Sequence, residues 1–101
     1  MIEEFDIVKL SQLSEKAYGE FTYVYRVLRE ANIDTKEAKN LVNKTLEAAG
    51  KAEEVFDKIE DAISGLKGDD IFMLRQSIAE KRKYINEFKK VYGLTDSEPN
   101  A

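Results

Sequence analysis

The sequence predicts an all-α protein: an up-down-up antiparallel three-helix bundle with coiled-coil-like packing and a long middle helix. Three observations predict it. Apolar residues recur at alternating spacings of three and four through most of the chain, the period of helices buried along one face. Two short breaks rich in Asn, Asp and Gly cut that pattern into three segments. The single proline, Pro99, lies in the last few residues, so nothing interrupts a helix from within.

The first helix is expected from about Asp6 to Ala31. Its apolar line is Ile7, Leu10, Ala17, Phe21, Val24, Leu28 and Ala31, with Ser14 filling one gap. Leu13, Tyr18, Tyr25 and Val27 widen the stripe. Residues Phe21 to Tyr25 alternate like a strand and are rich in strand formers, but the longer helical period runs through them. Asn32 can take the left-handed conformation that ends a helix. Asp34 then reads as an N-cap, with Glu37 three residues on completing a capping-box pattern.

The second segment, Thr35 to Leu66, carries the strongest pattern. Its seam is Ala38, Val42, Thr45, Ala49, Ala52, Phe56, Ile59, Ile63 and Leu66. A shoulder at Leu41, Ala48, Val55 and Ala62 repeats every seven residues. Such a broad face suits a helix covered by two neighbours. The apolar phase crosses Gly50 unchanged, whereas a turn would reset it, so one continuous helix is expected.

In the second break, Gly68 suits a helix C-terminal stop and Asp69 or Asp70 the next N-cap. The third helix is expected from about Asp70 to Tyr92. Its line is Ile71, Leu74, Ile78, Ile85, Phe88 and Tyr92, interrupted by Lys81, with Tyr84 and Val91 as shoulder. Gly93-Leu94 resembles a Schellman ending. Residues 1–94 thus read as one domain and Thr95 to Ala101 as a polar tail. At about 1.5 Å per residue, the middle helix is too long for its neighbours by about 10 Å. The expected common core is Phe21, Leu28, Phe56, Ile59, Ile63, Ile78 and Phe88.

Composition narrows the function classes. A chain of 101 residues that is 43% hydrophobic and 36% charged reads as one globular domain with long solvated helix faces. The absence of cysteine and histidine excludes disulfides, thiol nucleophiles, Ser-His-Asp triads and the usual zinc ligands. The first ten residues are acidic, and no apolar run approaches the ~20 residues of a membrane span. A cytoplasmic protein without a membrane segment is expected. The net charge of -4 argues against a dedicated nucleic-acid binder.

Few residues point to chemistry. Glu53, Glu54, Asp57, Glu60 and Asp61 form the most acidic stretch, at spacings that could hold a divalent cation. The plainer reading is a solvated face opposite Phe56, Ile59 and Ile63. Gly65-Leu66-Lys67-Gly68 has neither the spacing nor the upstream strand of a phosphate-binding loop. The third helix is the basic one. Lys81, Arg82, Lys83, Lys89 and Lys90 are candidate weak phosphate contacts, or simply complement two acidic neighbours. Tyr23, Leu46 and Met73 fall off the apolar stripes and are candidate partner-binding residues. Ala48, Ala49, Gly50 and Ala52 would let a neighbouring helix approach closely, with bulky side chains filling the space.

No catalytic site, metal, cofactor or small-molecule substrate is inferred. The expected function is a non-catalytic protein–protein interaction module, an adaptor, assembly factor or inhibitor. It would act through helix surfaces on another protein or on itself as a homodimer. The alternative is a nucleic-acid-associated protein using the third helix.

Overall fold

The computed structural model describes residues 4–31 and 35–92, with side chains from residue 6 in the first helix and from residue 36 in the second. Three helices follow in order: α1 (Glu4–Glu30), α2 (Thr35–Ala62) and α3 (Asp69–Val91). No strand occurs among the described residues, and Phe21 to Tyr25 are helical. α2 runs unbroken through Gly50. The protein is an all-α three-helix bundle.

α1 packs mostly against α2. Small residues explain the close approach: Ser14, Thr45, Ala49 and Ala52 are all fully buried. The two hydroxyls are satisfied within their own helices. Ser14 Oγ donates to the Ser11 carbonyl at 2.8 Å and Thr45 Oγ1 to the Leu41 carbonyl at 2.7 Å. They therefore sit in the core without a stranded polar atom.

α3 meets the pair through larger side chains. Phe21, Tyr25, Tyr84, Phe88 and Tyr92 form a ring cluster between α1 and α3, with Tyr25–Phe88 centroids 4.9 Å apart and Phe21–Phe88 5.5 Å. Most of these pairs are tilted or edge-on, the geometry the ring quadrupole favours. Phe56, Ile59, Ile63, Ile71, Leu74, Ile78 and Ile85 complete the core, so every expected core residue is buried.

Several expectations need correction. α2 ends at Ala62, four residues before Leu66, and α1 extends back to Glu4. α2 has 28 residues, α1 27 and α3 23, so the excess shrinks to one residue against α1 and to five, about 7.5 Å, against α3. The seam misled because Ile63, just past the helix, still donates a helical bond (Ile63 N–H to Ile59 O, 3.0 Å) and stays buried. Gly65, at φ 80°, then turns the chain. This left-handed conformation disfavours residues with a Cβ. Gly68 stands directly before α3, not as the stop of α2, and Asp69 and Asp70 occupy the first turn of α3 without capping it. Their charges still suit the positive end of the helix dipole.

The shoulder is also narrower than its pattern. Leu13, Val27, Ala62 and Val91 are exposed, because two neighbours do not cover so wide an arc. The proposed boundary residues Asn32 to Asp34, the Gly93-Leu94 ending and the polar tail lie outside the described residues.

α2 carries no basic residue in its last turn. Arg75 of α3 supplies the missing cation: its guanidinium donates to the Ile63 carbonyl at 2.9 Å. A positive group at a helix C-terminus stabilises the exposed carbonyls and offsets the dipole.

Candidate functional site

The basic residues of α3 divide by helical position. Lys81 sits on the apolar line itself and is buried, its ammonium paired with Glu15 of α1 at 3.0 Å and donating to Ser77 Oγ. It also lies 5.4 Å from the centroid of the Tyr18 ring. The polar residue that interrupts the α3 stripe is thus a cross-helix tie to α1.

On the side of α3 facing α2, Arg82 bridges Asp57 at 2.7 Å and Glu60 at 2.8 Å. Its guanidinium lies 5.5 Å from the Phe56 ring centroid. Burial opposes its charge, but hydrogen bonds and attraction from both carboxylates outweigh that and hold its pKa above the ordinary guanidinium value. Lys89 binds both oxygens of Glu53, at 3.0 and 3.2 Å.

These pairs agree with the plainer reading of the basic run, in which α3 complements its acidic neighbours. Lys81, Arg82 and Lys89 are not free for phosphate: their charges are met by Glu15, Asp57, Glu60 and Glu53. Only Lys83 and Lys90 of that group are exposed without an ion pair to a described residue. They flank a shallow groove with Ala79, Arg82, Asn86 and Glu87. Three of the five acidic residues that resembled a cation site instead hold α3. Among the described residues no group of His, Cys, Asp or Glu is placed to hold a metal ion, and no helix is long and apolar enough to cross a membrane.

The three partner-binding candidates do not come together. Met73 is 67% exposed and Tyr23 is 62% exposed, whereas Leu46 is half-buried and packs against the core. Leu46 follows Thr45 on the edge of α2, and the seam is wide enough to include it. Met73 rims an open cleft of about 380 Å³ between the starts of α1 and α3, lined by Ile7, Val8, Ser11, Asp70, Leu74 and Ser77. Val8 on the opposite rim is half exposed. Phe72, on the adjoining face of α3, is 60% exposed. Sequence reasoning passed over Val8 and Phe72. Subtracting the buried stripes from each helix would have flagged both, as it flagged Met73.

Tyr23 lies elsewhere, about 22 Å along α1 from Val8. It lines a second cleft of about 270 Å³ with Gly19, Thr22, Arg26, Arg29 and Tyr84. Two phenols, Tyr18 and Tyr25, pack against Tyr84 of this cleft, with ring centroids 6.3 and 5.7 Å from it. Burial, with the neighbouring Tyr84 and Glu15, raises the Tyr18 pKa. Burial, then Tyr84 and Tyr92, raises that of Tyr25 despite Arg29, whose guanidinium is 5.1 Å from its ring centroid.

No family model, curated protein or solved structure matches the chain. The class that the fold defines is a three-helix bundle with ion-paired flanks and several open surface clefts, among them one mainly apolar and one bordered by arginines.

Proposed function

We propose that the protein is a non-catalytic interaction module that presents helix surface to another protein or to a second copy of itself. One observation carries the reading. Val8, Phe72 and Met73, three large apolar side chains each at least half exposed, gather at the end where α1 and α3 begin. Val8 and Met73 face each other across an open, mainly apolar cleft. Scattered surface apolar residues are ordinary. Two of them rimming a concavity, with Phe72 exposed on the adjoining face, are what an interface presents before its partner arrives.

The nucleic-acid alternative loses support because three of its five cations are committed to carboxylates. The same pairs give the module a stiff frame on which a docking face can be held. A cytoplasmic setting belongs to the proposal.

Sedimentation at micromolar concentration, together with affinity capture, tests it. The comparison is wild type against the double substitution Phe72→Glu, Met73→Glu. Both positions are exposed, so helix content should be unchanged. The expected result is that self-association, or retention of a specific partner, is present in the wild type and lost in the variant. A wild type that is strictly monomeric, and whose bound proteins are identical to those of the variant, contradicts the reading.

A further inference from the structure

We infer that the cleft formed by Tyr23, Arg26, Arg29 and Tyr84 is a binding site for an acidic peptide segment of a partner protein. This inference extends the interaction reading to a second face and does not depend on Phe72 or Met73.

The arginines of the chain meet different fates. Of the four in the chain, Arg75 is bonded to the Ile63 carbonyl and Arg82 to Asp57 and Glu60. Arg26 and Arg29 are exposed, three residues apart on one helix face, and neither makes an ion pair with a described residue. Glu30 stands four residues after Arg26, at a spacing where a pair could form, and does not pair with it. Glu87 of α3 is near enough to act on the Tyr25 phenol, yet makes no ion pair with either arginine.

The setting of the two guanidiniums is specific. Arg29 is stacked near the Tyr25 ring, an arrangement that holds a planar cation without using up its N–H donors. Tyr23 and Tyr84 wall the cleft with aromatic surface, and Gly19 leaves its floor open, with nothing within 4 Å of where a Cβ would stand. Guanidinium pairs select planar or tetrahedral oxyanions through bidentate hydrogen bonds. Tyrosine beside them supplies contact area at low entropic cost. A volume of about 270 Å³ suits one or two side chains of a docked segment. An extended nucleic acid would instead need a continuous basic track, which the ion pairs of Lys81, Arg82 and Lys89 interrupt.

The test is an amide chemical-shift titration of the whole chain. The probes are a short acetylated glutamate–alanine peptide, its phosphoserine counterpart, a lysine–alanine control and a short DNA duplex. The expected shifts centre on Gly19, Thr22, Tyr23, Arg26 and Arg29 for the two acidic peptides and are absent for the lysine peptide. Which acidic peptide binds more tightly decides whether the oxyanion is carboxylate or phosphate. Arg26→Gln and Arg29→Gln should each weaken binding about tenfold, the loss of one charge-assisted contact. The double variant should abolish it with unchanged helix content. Phe72→Glu should bind the peptides normally, which separates failure here from failure of the apolar docking face. Absence of shifts at millimolar peptide, shifts centred on Lys83 and Lys90, or tighter binding of duplex DNA at the same residues would each overturn the inference.

Discussion

The two seams that α1 makes are built from opposite materials. Toward α2 the core is closed by Ser14, Thr45, Ala49 and Ala52, side chains so small that the backbones come close. Toward α3 it is closed by rings from both helices, and α3 stands further off. The same spacing of three and four underlies both. What differs is side-chain volume, and volume sets the interhelical distance. One seam should tolerate no additions and the other no subtractions.

Truncation on the aromatic side is expected to have the largest effect. Phe88→Ala removes a fully buried ring that touches Phe21, Tyr25 and Tyr92, and should cost about 3–5 kcal/mol in denaturant unfolding. Phe56→Ala should cost on the order of 3 kcal/mol. A loss below about 1 kcal/mol at Phe88 would mean that the ring cluster is not a structural seam.

Enlargement on the small side comes next. Ala52→Leu adds methylenes where no space remains and should destabilise by about 1–3 kcal/mol. If stability instead rises, α1 and α2 are less closely packed than their small residues imply.

The tie between the seams should respond more weakly. Lys81 is buried, but its partner Glu15 is 64% exposed and shares its charge with water. Lys81→Met is expected to be neutral or mildly stabilising, because a buried ammonium carries a desolvation cost that a thioether does not. The coupling of Glu15 and Lys81 in a double-mutant cycle should be under about 1 kcal/mol. A larger coupling would make the pair a principal determinant of the α1–α3 register.

The smallest effect is a pH dependence confined to the aromatic seam. Tyr18 and Tyr25 have folded-state pKa values raised by burial and by neighbouring Tyr84. In the unfolded chain their phenols ionise near the ordinary value of about 10. Above that pH the unfolded state binds fewer protons than the folded one, so stability falls as pH rises. Their contribution is fully present below the ordinary phenol value and is lost as pH rises through the folded values. Unfolding midpoints measured from neutral to strongly alkaline pH should show this decline, and Tyr25→Phe should reduce it.

The fold was legible because buried helices write a periodic record. The seam from Ala38 to Ile63 crosses Gly50 in phase, and α2 does the same. The strand-like alternation from Phe21 to Tyr25 covers only five residues and could not outweigh a period sustained along the whole helix. Helix ends were less legible. Both glycines of the break adopt positive φ, Gly65 at 80° and Gly68 at 132°, and no local pattern showed that the first would end α2 and the second would precede α3. The candidate site was readable only in fragments. Tyr23 and Met73 stood out as apolar residues off the stripes. Arg26, Arg29 and Tyr84 did not, because they come from two helices whose relative register no local pattern records. The basic run on α3 pointed to phosphate for the same reason: nothing in the run itself shows that Asp57, Glu60, Glu53 and Glu15 face it.

The sequence by itself determined the number of helices, their buried faces and the identity of the core, because periodicity and volume are properties of each segment. The tertiary structure alone decided which charges cancel, which arginines make no ion pair among the described residues and which apolar residues remain in water. Those outcomes depend on which faces meet at which level, and that relation comes into being only when separate helices pack together.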